Sequence, residues 1–255
     1  MIFLCFSSKD RYTIVESIMY HLKNYGLSVW YDYHKLILGD DRDYRNLIEG
    51  IEQNNYAIVL LTENVFDCVC ANDELNVIHR QYINGRIHVF PIFYKITALE
   101  LPLNYQWLCK LIYNEVDDKT GTLMTCNQII LKYLLDKNAL YETKVLTDYI
   151  KIPVQDTYIK EMISIYFEVD YDNINVRMAI LYSIFKYLTC KYDSFQYPHY
   201  CLRTFKRLYE LTKLKIQIDF KELSILENSL LLMLNTIANQ YFEAVSYTHL
   251  TLPTT

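Results

Sequence analysis

RNLIEGIEQNNYAIVLLTENVF, Arg45–Phe66, decides the fold. Its first part predicts a helix near Asp43–Gln53. Its second part, YAIVLL (Tyr56–Leu61), is apolar at every position, the mark of a strand buried on both faces. Working outward, the same alternation repeats. IFLCF (Ile2–Phe6) is another buried-strand pattern, closed by the polar Ser7-Ser8-Lys9-Asp10. From Tyr12 to Tyr25, Ile14, Ile18, Leu22 and Tyr25 fall at helical spacing, and Gly26 supplies a helix stop. LSVWYD (Leu27–Asp32) reads as a strand, followed by a polar loop through Gly39. Beyond Phe66 come a helix over Asn72–Tyr82, a strand IHVFPIFY (Ile87–Tyr94), a weaker strand LIYNEV (Leu111–Val116) and a closing helix over Gln128–Lys137. Apolar strands alternating with amphipathic helices predict a parallel five-stranded sheet with helices on both faces. Ligands in such sheets bind beyond the carboxyl ends of the strands, so the loops after Phe6, Asp32, Leu61 and Tyr94 are where a site is expected.

The pattern changes from about Leu140. Ile159–Val169, Val176–Tyr192, Cys201–Leu214 and Phe220–Tyr241 all read as helices. The α/β part, residues 1–137, is thus expected to be followed by an all-α domain over residues 138–245. The last stretch, SYTHLTLPTT (Ser246–Thr255), breaks from the preceding helical pattern. It reads either as a non-native tail of the kind a translated sequencing adapter leaves, which would put the natural C-terminus elsewhere, or as an ordinary disordered tail.

The chain has 255 residues, 52% hydrophobic and 22% charged, with a formal net charge of −5. An acidic balance argues against a general binder of nucleic-acid backbone. Arg203, Lys206 and Arg207 form a local basic patch, read as a solvated helix face. Met1 leads directly into an apolar strand, with no basic n-region or cleavage site. The longest apolar run late in the chain, Leu230–Leu234, falls far short of the roughly 18 residues a membrane span needs. A cytoplasmic protein with no membrane partner is expected. The 7 cysteines are odd in number and include no Cys-x-x-Cys. They read mostly as small buried apolar residues.

Four segments, in order, resemble the bacterial TIR (Toll/interleukin-1 receptor) domain. FLCFSSKDR (Phe3–Arg11) is similar to its first box. GLSVWYDYHKLILGDD (Gly26–Asp41) is similar to its second strand and the BB loop behind it. RNLIEGIEQNNYAIVLLTENVF carries an Ile-x-Gly-Ile helix and the strand that follows. HVFPIFYKI (His88–Ile96) matches the Pro-Ile-Phe-Tyr core of its fourth strand. The resemblance implies a flavodoxin-like fold. It implies cleavage of the nicotinamide–ribose bond of NAD+, with NAD+ as substrate rather than cofactor, no metal, and activation by self-association through this domain, as in anti-phage defence systems. An unknown trigger acting on the helical domain is the further partner it suggests.

Asp73-Glu74-Leu75 stands where the family carries its acidic motif, so the resemblance makes Glu74 the catalytic carboxylate. The chemistry suits that group. Nicotinamide departure builds oxocarbenium character on the ribose, and a carboxylate stabilises it. Read locally, Glu74 is an acid in the first turn of a helix, where the dipole favours it. By the same matching, Phe6, Ser7, Trp30, Asp40 and Cys70 are candidates to bind substrate. Phe6 and Trp30 read equally well as core aromatics. Many NAD-cleaving relatives have an aromatic where this chain has Cys70, which leaves hydrolysis and cyclisation both open. Lys9, Asp10 and Arg11 either order the first loop or cap the first helix. Cys68, Cys70 and His79 are ligand types, but the Cys-x-Cys spacing is unusual for zinc. The cysteines are instead expected to pack at the sheet edge. The other functional reading is a non-enzymatic adaptor that makes contact through His34–Asp43. A third, a nucleotide-sensing helical half, has no motif of its own.

Overall fold

The computed structural model describes residues 1–151 and 156–250, with side chains through residue 239. It divides into two compact units, Met1–Ile129 and Ile130–Thr255.

The first unit holds a parallel sheet of β1 (Ile2–Cys5), β2 (Val29–Trp30), β3 (Tyr56–Leu61), β4 (His88–Tyr94) and β5 (Asn114–Val116), in the order β2-β1-β3-β4-β5. Register runs through Phe3↔Ala57 and Cys5↔Val59, then Val59↔Pro91 and Leu61↔Phe93. Both faces are covered, as the apolar runs require. Phe3, Cys5, Ala57, Val59, Leu61 and Phe93 pack in one buried layer with Ile51, Ala71, Leu75 and Ile78. Their alternate neighbours Ile2, Leu4, Ile58, Leu60 and Ile92 are equally buried. The outer strands are shorter than the sequence predicts. β2 keeps only Val29–Trp30, and Asp32–Lys35 turns into a helical loop. β5 keeps only Asn114–Val116. Each has one neighbour to bond with, so fewer residues are held in extended form.

The helices of this unit are α1 (Glu16–Asn24), α2 (Asp43–Glu52) and α3 (Val69–Ile83). Helix α1 is preceded by a π turn, Arg11–Val15. It ends at Asn24, and the turn that follows passes through Gly26, whose φ of 80° only glycine adopts freely. Helix α2 is wound throughout with π-type bonds, a rare form that clusters at functional sites. The Gln53 N–H reaches the Ile48 carbonyl at 3.2 Å as α2 ends. Helix α4 (Leu123–Asn138) carries the chain into the second unit.

The second unit is built from α5 (Thr157–Glu168), α6 (Ile174–Lys191), α7 (His199–Lys213) and α8 (Phe220–Leu250). It has no strand among the described residues. Asp156 and Asn173 cap α5 and α6 by accepting from the Ile159 and Val176 N–H groups, each at 3.3 Å. At the start of α8 the Asp219 N–H donates to the Glu222 carboxylate at 3.0 Å and the Glu222 N–H to the Asp219 carboxylate at 2.8 Å. Helix α8 runs on through Ser246 to Leu250, past the point where the sequence predicts a break. The rest of the predicted tail, 251–255, lies outside the described residues. Among the described residues no helix is long and apolar enough to cross a membrane.

Gly50 marks where α2 meets the sheet. A Cβ there would stand 2.8 Å from the Phe3 ring and 3.0 Å from Trp30 Nε1. Both rings are buried, so neither can step aside cheaply. Gly50→Ala is therefore expected to destabilise the first unit by about 1–3 kcal/mol, read as a lower midpoint in urea denaturation.

Candidate active site

In the order β2-β1-β3-β4-β5 the chain reverses direction of winding between β1 and β3, the kind of switch point beyond whose strand ends ligands bind in such sheets. β1 ends at Cys5, and Phe6 and Ser7 follow it, 7% and 2% exposed. The loops on either side are tied together by Asp10. It accepts from the Thr62 hydroxyl at 2.6 Å and the Asn64 amide at 2.7 Å. Asp10 thus orders the first loop, and its side chain makes no helix cap.

Helix α3 is fixed at its start by Asn72. The Asn72 amide donates to the carbonyls of Val65, Phe66 and Cys68 at 3.0–3.2 Å. The helix begins at Val69, earlier than the sequence predicts, so Glu74 lies in its second turn rather than its first. Glu74 is not a solvated surface acid. It is 8% exposed and points into the layer that holds Cys5.

Glu74 has specific partners. The Asn46 Nδ2 group donates to Glu74 Oε1 at 3.0 Å. Trp30 Nε1 donates to Asn46 Oδ1 at 3.2 Å. The Cys5 thiol lies within hydrogen-bond reach of the Glu74 carboxyl and 3.6 Å from the Ala71 carbonyl. Burial raises the Glu74 carboxyl from its ordinary 4.5 to about 8, and the nearby Asp32 pushes in the same direction. The Cys5 and Asn46 hydrogen bonds and the Arg42 charge pull it back, without offsetting the burial. Cys5 is itself raised, first by burial and then by Glu74.

The other sequence candidates are spread more widely. Phe6 sits at the β1 end with its ring 5.8 Å from Tyr31. Trp30 is 5% exposed in the core and reaches Glu74 only through Asn46. Asp40 is exposed and holds its own loop, accepting from the Ile37 N–H at 2.9 Å and facing Arg45 Nε at 3.6 Å. Cys70 is exposed and takes a hydrogen bond from Arg42, which also pairs with Asp73 at 3.1 Å. Only Cys68 of the cysteine pair packs against the sheet core, because Cys70 falls on the outer side of α3. His79 stacks on Trp107 with ring centres 4.2 Å apart. Among the described residues no group of three or more His, Cys, Asp or Glu side chains could hold a metal ion. Asn46 and Cys5 escaped the sequence reading. A buried asparagine on an amphipathic helix carries no motif, and Cys5 reads as one more strand residue.

The raised carboxyl has a consequence for stability. Between pH 4.5 and about 8 the folded chain keeps a proton on Glu74 that the unfolded chain has released. Stability therefore falls as pH rises through that window. Glu74→Gln lacks this penalty. The stability of Glu74→Gln relative to the unaltered protein should therefore rise from pH 5 to 8, by about 2 kcal/mol or more by pH 8.5, with the difference in melting temperature growing in step. Thermal melts of both proteins across that range check it.

Residues 2–119 match the family described as "TIR domain". The NAD(+) hydrolase TcpA of a Theionarchaea archaeon is 29% identical over 100 residues, 39% of this chain and 30% of that protein. The 2′ cyclic ADP-D-ribose synthase BtTIR of Bacteroides thetaiotaomicron is 33% identical over 100 residues, 39% of this chain and 34% of that one. The NAD(+) hydrolase TcpC of Escherichia coli is 30% identical over 100 residues, 39% of this chain and 32% of that one. The aligned part thus spans about a third of the length of each of these relatives. Among solved structures, the TIR domain of the Toll-related receptor TRR-2 from Hydra magnipapillata is 18% identical, with a TM-score of 0.37 over 45% of this chain and 82% of that one. From residue 2 to residue 119, the chain is a TIR domain.

Proposed function

We propose that the first unit cleaves the bond between nicotinamide and ribose in NAD+, with Glu74 as the catalytic carboxylate. One observation carries this reading. A carboxyl group is buried and hydrogen-bonded beside the end of β1, in a TIR domain similar to NAD+ hydrolases and cyclic ADP-ribose synthases.

The reaction asks for little proton chemistry at the leaving group. The C1′–N bond breaks, its electron pair goes to nicotinamide, and positive charge develops on the ribose. A carboxylate beside the ribose hydroxyls stabilises that charge. Water then attacks C1′ to give ADP-ribose and a proton. A ribose hydroxyl attacking in its place gives a cyclic product. With its carboxyl raised by burial to about 8, Glu74 favours its protonated form at neutral pH. The cationic nicotinamide ring of NAD+ favours the ionised form once it binds. Phe6 and Ser7 line the same strand end and serve as the substrate wall.

Self-association is the proposed switch, through the loop His34–Asp43. Its Ile37 and Leu38 are 75% and 104% exposed. That exposure also favours the second reading, a TIR adaptor that binds other TIR domains without turnover.

Purified protein at high concentration, mixed with NAD+ and followed by chromatography, separates the two. Nicotinamide release should fall by ~100-fold or more in Glu74→Gln, and the second product identifies hydrolase or cyclase. Leu38→Asp should lower both self-association and release. No release from concentrated or bead-clustered protein, with Leu38→Asp still disrupting assembly, selects the adaptor.

A further inference from the structure

Asn46 is 3% exposed, and both ends of its amide are used. The partner at one end settles what happens at the other. A tryptophan indole nitrogen is a donor with no acceptor capacity. Trp30 Nε1 therefore demands the amide oxygen, and Asn46 Oδ1 faces it at 3.2 Å. The amide NH₂ is then turned to Glu74, where it meets Oε1 at 3.0 Å. An oxygen that accepts this N–H bond is not itself free to donate back along it. Glu74 Oε1 is thus held as an acceptor in both protonation states. The proton of the neutral acid belongs on Oε2.

The surrounding fold protects this arrangement. Gly50 lies one turn beyond Asn46 on α2, and a side chain there would crowd the Phe3 ring and Trp30 Nε1, at 2.8 and 3.0 Å from its Cβ. The π winding of Asp43–Glu52 sets the spacing between Asn46 and Gly50 on the face that meets the sheet. Lys35 and Arg45 lie over the Trp30 ring at 5.6 and 5.8 Å, so the indole is clamped from outside as well.

We propose that Asn46, oriented by the donor-only indole of Trp30, is a positioning residue for Glu74: it fixes the carboxyl rotamer, reserves Oε1 as an acceptor and confines the exchangeable proton to Oε2. The catalytic consequence rests on the reading of Glu74 above, whereas the arrangement itself does not. Glu74 is faced by Cys5 from β1, Asp32 from the turn after β2, Arg42 from the start of α2 and Asn46 from within it. Of these, Cys5 and Asn46 are the neutral groups that hydrogen-bond the ionised form, and Asn46 is the one whose direction the Trp30 indole fixes.

The experiment is a carbon-13 NMR titration of the Glu74 side-chain carboxyl in the protein without substrate, its resonance identified by loss in Glu74→Gln. The unaltered protein should titrate near pH 8. Asn46→Ala should move the midpoint up by about one unit, because the ionised form loses a hydrogen bond. Trp30→Phe keeps an aromatic ring but loses the N–H together with the five-membered ring that carries it, and Ile51→Val controls for the packing change. Trp30→Phe should move the midpoint the same way by a smaller amount, since the amide is then free to turn. Ile51→Val, a packing change on the same helix, should lower the melting temperature and leave the midpoint in place. A midpoint unchanged in both Asn46→Ala and Trp30→Phe overturns the proposal. If Asn46→Ala does not fold, Trp30→Phe decides it alone. Where NAD+ cleavage is measurable, Asn46→Ala should lower kcat ~10-fold or more with little change in KM, and the pH–rate profile should shift upward with the titration. An unaltered protein that titrates as described but releases no nicotinamide removes the catalytic reading and leaves the positioning intact.

Discussion

An indole N–H can give a hydrogen bond and cannot take one, and the first unit is organised around that constraint. Trp30 lies in the core at the end of a two-residue strand. Its N–H has to be satisfied inside the protein, because a buried donor without a partner costs about 1–3 kcal/mol. Asn46 supplies the acceptor, and in doing so aims its own donors at Glu74. The buried carboxyl is thereby tolerated. It has one fixed hydrogen bond from Asn46, a thiol within reach, and a proton to shed when its surroundings favour charge. A polar chain of this kind is stable only when every member is paired.

The rest of the unit holds the chain of partners in place. Gly50 lets α2 approach Phe3 and Trp30 closely enough for Asn46 to reach both neighbours. Asn72 ties the beginning of α3 to the turn before it, which sets the height at which Glu74 enters the layer. Asp10 bridges the loops after β1 and β3, the two strands between which the winding reverses. None of these groups touches another's partner, yet each limits where the carboxyl can be. The site is thus assembled from a core aromatic, a helix asparagine and a helix acid that lie far apart in sequence.

The second unit follows a simpler logic. Its helices are capped by Asp156, Asn173 and the Asp219–Glu222 pair, and Asp156 also takes bonds from the Tyr192 hydroxyl at 2.8 Å and Lys191 at 3.0 Å. Such caps are readable signals, and the helices lie where periodicity predicts them. Arg177, 5% exposed, packs over the Tyr166 ring at 4.3 Å and faces Glu227 at 3.5 Å. A charge buried against an aromatic and a carboxylate is held by structure.

Sequence by itself determined the alternation of strands and helices, the parallel sheet, the helical second half and the position of Glu74 within an acidic motif. These are legible because each depends on a local period or a short run: apolar stretches for buried strands, helical spacing for helices, Gly26 for a stop. It did not determine the short outer strands, the exposure of Cys70, or the use of Asp40 to hold its own loop, since those depend on which neighbours a segment finds. Nor did it separate Trp30 as core from Trp30 as pocket wall, because an aromatic at a strand end suits both. Only the tertiary structure decided that Glu74 is buried and linked to Trp30 through Asn46. The physical reason is that burial and hydrogen-bond direction belong to pairs of residues brought together by the fold, while periodicity belongs to the chain alone.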